Sequence, residues 1–436
     1  IDKIGNVIIS KPATKGMEDK KGIVLQAHID MVPQKNADTK HDFEKDPILP
    51  WIDGEWVRAK GTTLGADNGM GVAAILAVLE DNSLVHGPIE ALLTIDEETG
   101  MTGAFGLEAG VLKGDILLNL DSETEGELYV GCAGGIDGSF AFDYKKETTP
   151  LGLSGFALDI KGLKGGHSGM DIILGRANAN KVLFRIFKAL ETLGLRISSI
   201  NGGSLRNAIP REAFSTIAIP TDKVSEAKKL VEQMSKDIKN EYSLVEPNFE
   251  IHFNPTALEA NVIDLDTQKR LILGVYACPN GVIRMSDSME GLTETSTNLA
   301  IVKTDDKSIN VSCLLRSSVD SAKMDLAEMM SAVFELAGAK RTFEGAYPGW
   351  KPNMDSPILK TMQTTYNSLY GKTPKIMAIH AGLECGLLGG VYPNWDMISF
   401  GPTIMSPHSP DERVEIASVQ KFWDYLLVTL KNVPAK

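Results

Sequence analysis

Three short apolar runs near the start of the chain each end in histidine or carboxylates, and a helix-like stretch lies among them. GIVLQAHIDMV (Gly22 to Val32), IEALLTIDEE (Ile89 to Glu98) and DILLNLDSE (Asp115 to Glu123) read as buried strands, and GMGVAAILAVLEDN (Gly69 to Asn82) reads as a mostly buried helix. Strands alternating with helices imply crossover connections and a largely parallel sheet. In open α/β sheets, ligands bind just beyond the carboxyl ends of the strands. The polar endings HID, DEE and LDSE are therefore expected to converge on one crevice.

A chain of 436 residues exceeds a single core, so two domains are expected. KKETTP (Lys145 to Pro150) reads as a connector. Beyond it, FALDIKGLKGGHSG, a helical stretch near Asn178 to Leu193, and AFSTIAIP suggest a different α/β unit. From about Trp350 the first texture returns, with helices over Pro357 to Tyr370 and Val414 to Lys431 on either side of DMISFGPTIMSPHSPDER. The expected architecture is an α/β catalytic domain with a parallel-rich mixed sheet, residues 1–148 and 349–436, interrupted by an inserted α/β lid domain, residues 149–348. No run approaches 18 uninterrupted apolar residues, so no membrane span is expected. The net charge of −13 repels phosphates and argues against nucleic acid as a partner. Cys132, Cys278, Cys313 and Cys385 are far apart and form no CxxC pair, as for free thiols in a reducing cytoplasm.

The strand endings carry donors that suit a metal. His28 and Asp30 stand two apart, so on a strand their side chains share a face. A carboxylate there would hold the second imidazole nitrogen, as is common at metal sites. Asp67 sits in GTTLGADNGMG, whose glycines permit tight backbone geometry; in isolation it or Asn68 reads as a helix cap. Asp96, Glu97 and Glu98 are three adjacent carboxylates whose mutual repulsion a cation would relieve. Asp121 ends the next strand, and His408 lies in SPHSPDER, a loop stiffened by Pro407 and Pro410. Taken singly, each reads as an ordinary turn, cap or solvated loop. Taken together, two imidazoles and three carboxylates suit zinc. Two Zn²⁺ ions would be balanced by Asp67, Glu98, Asp121 and one hydroxide. In such a pair, metals about 3.5–4 Å apart clamp a water, lower its pKa and polarise a carbonyl.

HIDMVPQK, GTTLGADNGMG, LLTIDEETGMTG, LNLDSE, KGGHSGMDI, HAGLECG and SPHSPDER resemble the M20 metallopeptidase family, and within it the aminoacyl-histidine dipeptidase branch. The motifs run in family order from Gly22 to Arg413. The resemblance implies that Asp67 bridges two zinc ions, with His28 and Asp121 on one and Glu98 and His408 on the other. Cobalt or manganese would also serve these donors. It implies a cis peptide between Asp67 and Asn68, Glu97 as general base for the bridging water, and Asp30 as partner of His28. His167 in GGHSG resembles the lid histidine that polarises the scissile carbonyl. Asn207 and Arg316 resemble substrate-contacting lid residues; a guanidinium suits a free carboxylate. His380, Gly382 and Glu384 resemble the loop near the substrate, with Glu384 facing its amine.

The implied activity is hydrolysis of short peptides of the Xaa-His type in the cytoplasm. Rival readings are another M20 activity (tripeptidase, amino-acid deacylase or carboxypeptidase) or a non-enzymatic metal-dependent binding module. Both a monomer and a homodimer fit, with His167 acting within one chain or across two. Family members carry a helical segment before the first core strand, so residues upstream of Ile1 are expected.

Overall fold

Consecutive buried residues run the whole length of Ile23–His28 and Ile116–Asn119, and nearly all of Ile89–Thr94. Successive strand side chains point to opposite faces, so these strands are covered on both sides, as parallel strands require. They form the centre of a seven-stranded mixed sheet in the computed structural model, which describes residues 1–436. Its order is Val7–Lys11, Ile89–Thr94, Ile23–His28, Ile116–Asn119, Asp396–Ser399, Glu127–Cys132, Lys375–Ile379. Ile23–His28 pairs in parallel with both Ile89–Thr94 and Ile116–Asn119, and Ile116–Asn119 pairs in parallel with Asp396–Ser399. The carboxyl ends of these four strands therefore lie side by side. Val7–Lys11 runs antiparallel at one edge.

The helices around this sheet follow from local sequence. Pro357–Tyr370 starts on Ser356, whose hydroxyl accepts from the Leu359 amide at 3.0 Å, has Pro357 in its first turn, and stops at Gly371 in the left-handed conformation. Ile416–Lys431 buries Phe422, Tyr425, Leu426 and Leu430 at helical spacing. Ala66–Glu80 lies against Ile23–His28. Gly71 makes that approach possible: a Cβ there would stand 2.7 Å from the Leu120 carbonyl and 3.1 Å from the Ala27 methyl. A four-stranded sheet joins Pro50–Asp53, Trp56–Ala59, Arg413–Glu415 and Ile404–Met405.

The chain divides into two units, Ile1–Cys132 with Trp350–Lys436, and Ala133–Gly349. The insertion thus begins at Ala133, whereas the change of texture in the sequence suggested 149. The reason is that Gly134–Asp143 pairs antiparallel with both Ser308–Ser317 and Lys340–Tyr347, inside the inserted unit. That unit holds a nine-stranded antiparallel sheet. Helices Ala179–Leu190, Leu265–Ala277 and Asp320–Leu336 share one apolar core with it, including Phe140, Phe184, Phe187 and Phe334.

Gly71→Ala should lower stability by about 1–3 kcal/mol, because the added methyl has to push the helix off the sheet. The denaturant midpoint of the purified variant reads this, and an unchanged midpoint would contradict the packing argument.

Candidate metal centre

His28 and Asp121 sit where strands stop, while Asp67 and Glu98 open helical turns and His408 lies in a hairpin loop. His28 is the last residue of its strand. Its Nδ1 lies 3.0 Å from the Asp30 backbone carbonyl, which can only accept, so the ring proton belongs on Nδ1. Nε2 is then turned to Asp67 Oδ1 at 3.1 Å and Asp121 Oδ1 at 3.2 Å. On the other side, His408 Nε2 lies 3.2 Å from Asp67 Oδ2 and 3.0 Å from Glu98 Oε2. The two oxygens of Asp67 therefore serve two separate groups, His28 with Asp121 and His408 with Glu98. Donor atoms of His28, Asp67 and Asp121, and of Asp67, Glu98 and His408, lie within 4.8 Å of one another in each trio; those of His28, Glu97 and Glu98 do likewise.

The local backbone explains the aim of each side chain. Asp67 precedes the regular helix: its φ and ψ are −86° and 106°, the Asp67–Asn68 peptide is cis, and Asn68 Oδ1 accepts from the Gly71 amide at 3.1 Å. Asn68 is the cap, so the Asp67 carboxylate stays free for the site. Glu97 and Glu98 open a one-turn helix after left-handed Asp96, not the strand end suggested by the sequence. Asp30 holds that turn through Glu97 N–H at 3.0 Å and Glu98 N–H at 3.1 Å. Its carboxylate is 3.5 Å from His28 Nδ1, so Asp30 reaches His28 chiefly through its carbonyl. His408 sits at the tip of the hairpin between Ile404–Met405 and Arg413–Glu415, with left-handed backbone at Ser406 and His408.

The electrostatics call for cations. Burial alone would push the His28 imidazolium down, but hydrogen bonds and charge from Asp121 and Asp67 overturn this and raise it to about 12. Asp67 and Glu98 raise His408 to about 10. Burial also opposes ionisation of Asp67, yet the two imidazoles hold it well below the usual carboxylate range. Burial, with neighbouring carboxylates, pushes Glu97 and Asp121 up to about 7 and Glu123 to about 8. The acidic groups outnumber the bases; Glu98 Oε1 is buried without a hydrogen-bond partner, and buried Asp121 Oδ1 meets the His28 ring at 3.2 Å. Buried carboxylate oxygens grouped with imidazole nitrogens fit metal ions of the zinc type.

Glu384 opens helix Glu384–Val391 and is 1% exposed. Its Oε2 accepts from Gln26 Nε2 at 2.6 Å and Thr94 Oγ1 at 2.9 Å, while Oε1 has no partner. Burial and the charge of Asp121 raise it to about 7. Gln26 in turn accepts from Asn119 Nδ2 at 2.5 Å, and Asn119 accepts from Ser399. His380 is buried after strand Lys375–Ile379, and Gly382 is half-buried in the same loop. Sequence reading missed Gln26, Thr94, Glu123 and Glu412; only the LDSE and SPHSPDER motifs hinted at the last two.

Three further candidates lie in the inserted unit. His167 Nδ1 accepts from the Gly169 and Met170 amides at 3.2 and 3.0 Å, which leaves Nε2 as a donor. Burial and the Arg316 charge lower its pKa. Arg316 is 5% exposed, donates to Tyr347 Oη at 3.1 Å, and forms no salt bridge; its Nε has no partner. Asn207 is exposed.

Comparison with known proteins adds independent findings. The family model for peptidase family M20/M25/M40 matches residues 24–432. The chain is 52% identical over 436 residues to the cytosol non-specific dipeptidase of Escherichia coli strain K12, covering 100% of this chain and 90% of the relative. It superposes on the crystal structure of aminoacylhistidine dipeptidase from Vibrio alginolyticus with a TM-score of 0.96 and 56% identity, covering 100% and 89% of the two chains. An aminopeptidase from Bacillus cereus shares the fold, at a TM-score of 0.53 and 15% identity over 98% of this chain and 84% of that one.

Metal uptake should expel protons. His28 and His408 are protonated at neutral pH without metal, and a metal needs the neutral imidazole, so affinity should climb as pH rises from about 6 to 8. Calorimetry of the metal-free protein in two buffers of different ionisation heat should read about one proton or more released per ion. Zero release would contradict this charge arrangement.

Proposed function

The chain belongs to peptidase family M20/M25/M40 and is a metallo-dipeptidase, and from that premise we propose that it cleaves dipeptides of the Xaa-His type at a two-zinc centre held by His28, Asp67, Glu98, Asp121 and His408. The observation that carries the two-metal reading is the divided Asp67 carboxylate, one oxygen toward His28 and Asp121, the other toward His408 and Glu98. Zinc is favoured by the mixed imidazole and carboxylate donors; cobalt and manganese accept the same set. When bound, such ions lower the pKa of water and polarise the scissile carbonyl.

The chain's own groups then have distinct tasks. Glu97 is placed as general base. Its carboxylate would take a proton from the attacking water and return it to the leaving nitrogen, and its place beside Glu98 in the turn held by Asp30 sets it next to the proposed metals. Asp30 fixes Glu97 and Glu98 through their amides and fixes the His28 tautomer through its carbonyl. Glu384 offers its unpaired Oε1 to the ammonium of the substrate, with His380 and Gly382 in the same loop. His167 supplies an N–H to the carbonyl oxygen, and Asn207 and Arg316 bind the rest of the peptide; these roles rest on their motifs, with the free Nε2 of His167 and the unpartnered Nε of Arg316 in support. Cytosolic location is proposed from the name of the Escherichia coli relative, and a homodimer from family resemblance alone.

Glu97→Ala should keep its metal while losing turnover by at least about a hundredfold, the low end of what a positioned base contributes. Metal analysis and kcat on Ala-His test this together; a parental rate would refute the assignment. Rates on Ala-His, a tripeptide and an N-acetyl amino acid separate dipeptidase from tripeptidase and deacylase. Arg316→Ala should raise KM for dipeptides without loss of bound metal, and an unchanged KM would remove Arg316 from the substrate site.

A further inference from the structure

We propose that Glu412 is a positioning residue for the metal centre, acting through the backbone that carries Asp67. The inference rests on the reading of Asp67 as the shared ligand. Glu412 is 2% exposed and forms no salt bridge. Its Oε2 accepts from the amides of Leu64 at 2.6 Å and Gly65 at 2.9 Å, and its Oε1 from those of Ala66 at 2.8 Å and Asp67 at 3.2 Å. Four successive N–H groups thus converge on one carboxylate. They need it, because regular helix begins only beyond Asn68, after a left-handed Gly65 and an extended Asp67. A buried carboxylate is strongly favoured where several amides point at it.

The geometry ties two parts of the site together. Glu412 lies four residues beyond His408 in the same hairpin loop. One loop therefore carries a candidate ligand and also the clamp on the turn that bears the shared one. Asp67 must keep one oxygen near His28 Nε2 and the other near His408 Nε2, at 3.1 and 3.2 Å. A tilt of the turn would spoil both contacts at once. Only a carboxylate offers acceptors on both oxygens; glutamine would set its NH₂ against one pair of amides.

A buried glutamate elsewhere provides the comparison. Glu246, 3% exposed in the inserted unit, accepts from the amides of Lys164 at 2.8 Å and Ala177 at 3.1 Å, and no candidate ligand lies on either segment's amide. Its loss should cost stability without weakening zinc binding.

The test titrates metal-free Glu412→Gln, Glu412→Asp, Glu246→Gln and Asp67→Asn with Zn²⁺ by calorimetry, alongside thermal melting and dipeptide kinetics. For Glu412→Gln the expectation is about 10–100-fold weaker binding of at least one of two zinc equivalents, the scale seen for groups that orient ligands. kcat should fall with KM nearly unchanged, and Glu412→Asp should recover part of both zinc affinity and kcat. Glu246→Gln should melt earlier yet bind zinc as the parent does. A folded Glu412→Gln protein with parental zinc affinity, when Asp67→Asn has lost zinc, overturns the positioning role. Parental zinc affinity in Asp67→Asn overturns the shared-ligand reading and this inference with it. If Glu412→Gln does not fold, Glu412→Asp decides alone: weakened zinc binding supports the role and parental binding ends it.

Discussion

The Asp67 carboxylate is the contact on which the rest of this site depends. One oxygen faces His28 and the other faces His408, so a single side chain links groups that are 380 positions apart in the chain, from Ile23–His28 to the hairpin around His408. Its placement needs the close approach of helix Ala66–Glu80 to the sheet, which Gly71 allows. It also needs Asn68 to take over the capping duty that would otherwise occupy a neighbouring side chain. The carboxylate is thereby free to be shared, which is what a dinuclear centre asks of one ligand.

Crowding of like charge is the cost of this arrangement. Asp67, Glu97, Glu98, Asp121 and Glu123 lie close enough to perturb one another, and burial sharpens the effect. His28 and His408 draw the cluster together through close contacts with Asp67, Asp121 and Glu98. Beneath the site, the polar chain from Glu384 through Gln26 and Asn119 to Ser399 crosses the sheet at its most buried strands. Such a network fixes strand ends only when its members are satisfied, and here each link has a donor matched to an acceptor. Glu384 Oε1 is the unpaired end, on the side of the site proposed to meet the substrate.

Much of the fold was legible because buried parallel strands write themselves as uninterrupted apolar runs. Ile23–His28, Ile89–Thr94 and Ile116–Asn119 all lie inside the runs read from the sequence. The runs were read too long at their carboxyl ends. Glu97 and Glu98 belong to a helical turn, and apolar patterning cannot announce a change of backbone direction over two residues. The insertion boundary slipped for a related reason. Gly134–Asp143 looks like a continuation of the first unit, and only its pairing with strands far along the chain assigns it to the second.

The sequence by itself determined the chemistry on offer: two imidazoles and several carboxylates at strand ends, in an order that resembles one peptidase family from Gly22 to Arg413. Local pattern suffices for that, since residue type fixes donor character and apolar runs fix which strands are buried. Only the tertiary structure decided how those donors divide. It set one Asp67 oxygen toward each imidazole, turned Asp30 toward the amides of Glu97 and Glu98, and closed Glu412 on four amides nearly 350 residues earlier. Each is a matter of direction and distance between segments remote in sequence, set by sheet pairing and helix packing rather than by neighbours in the chain.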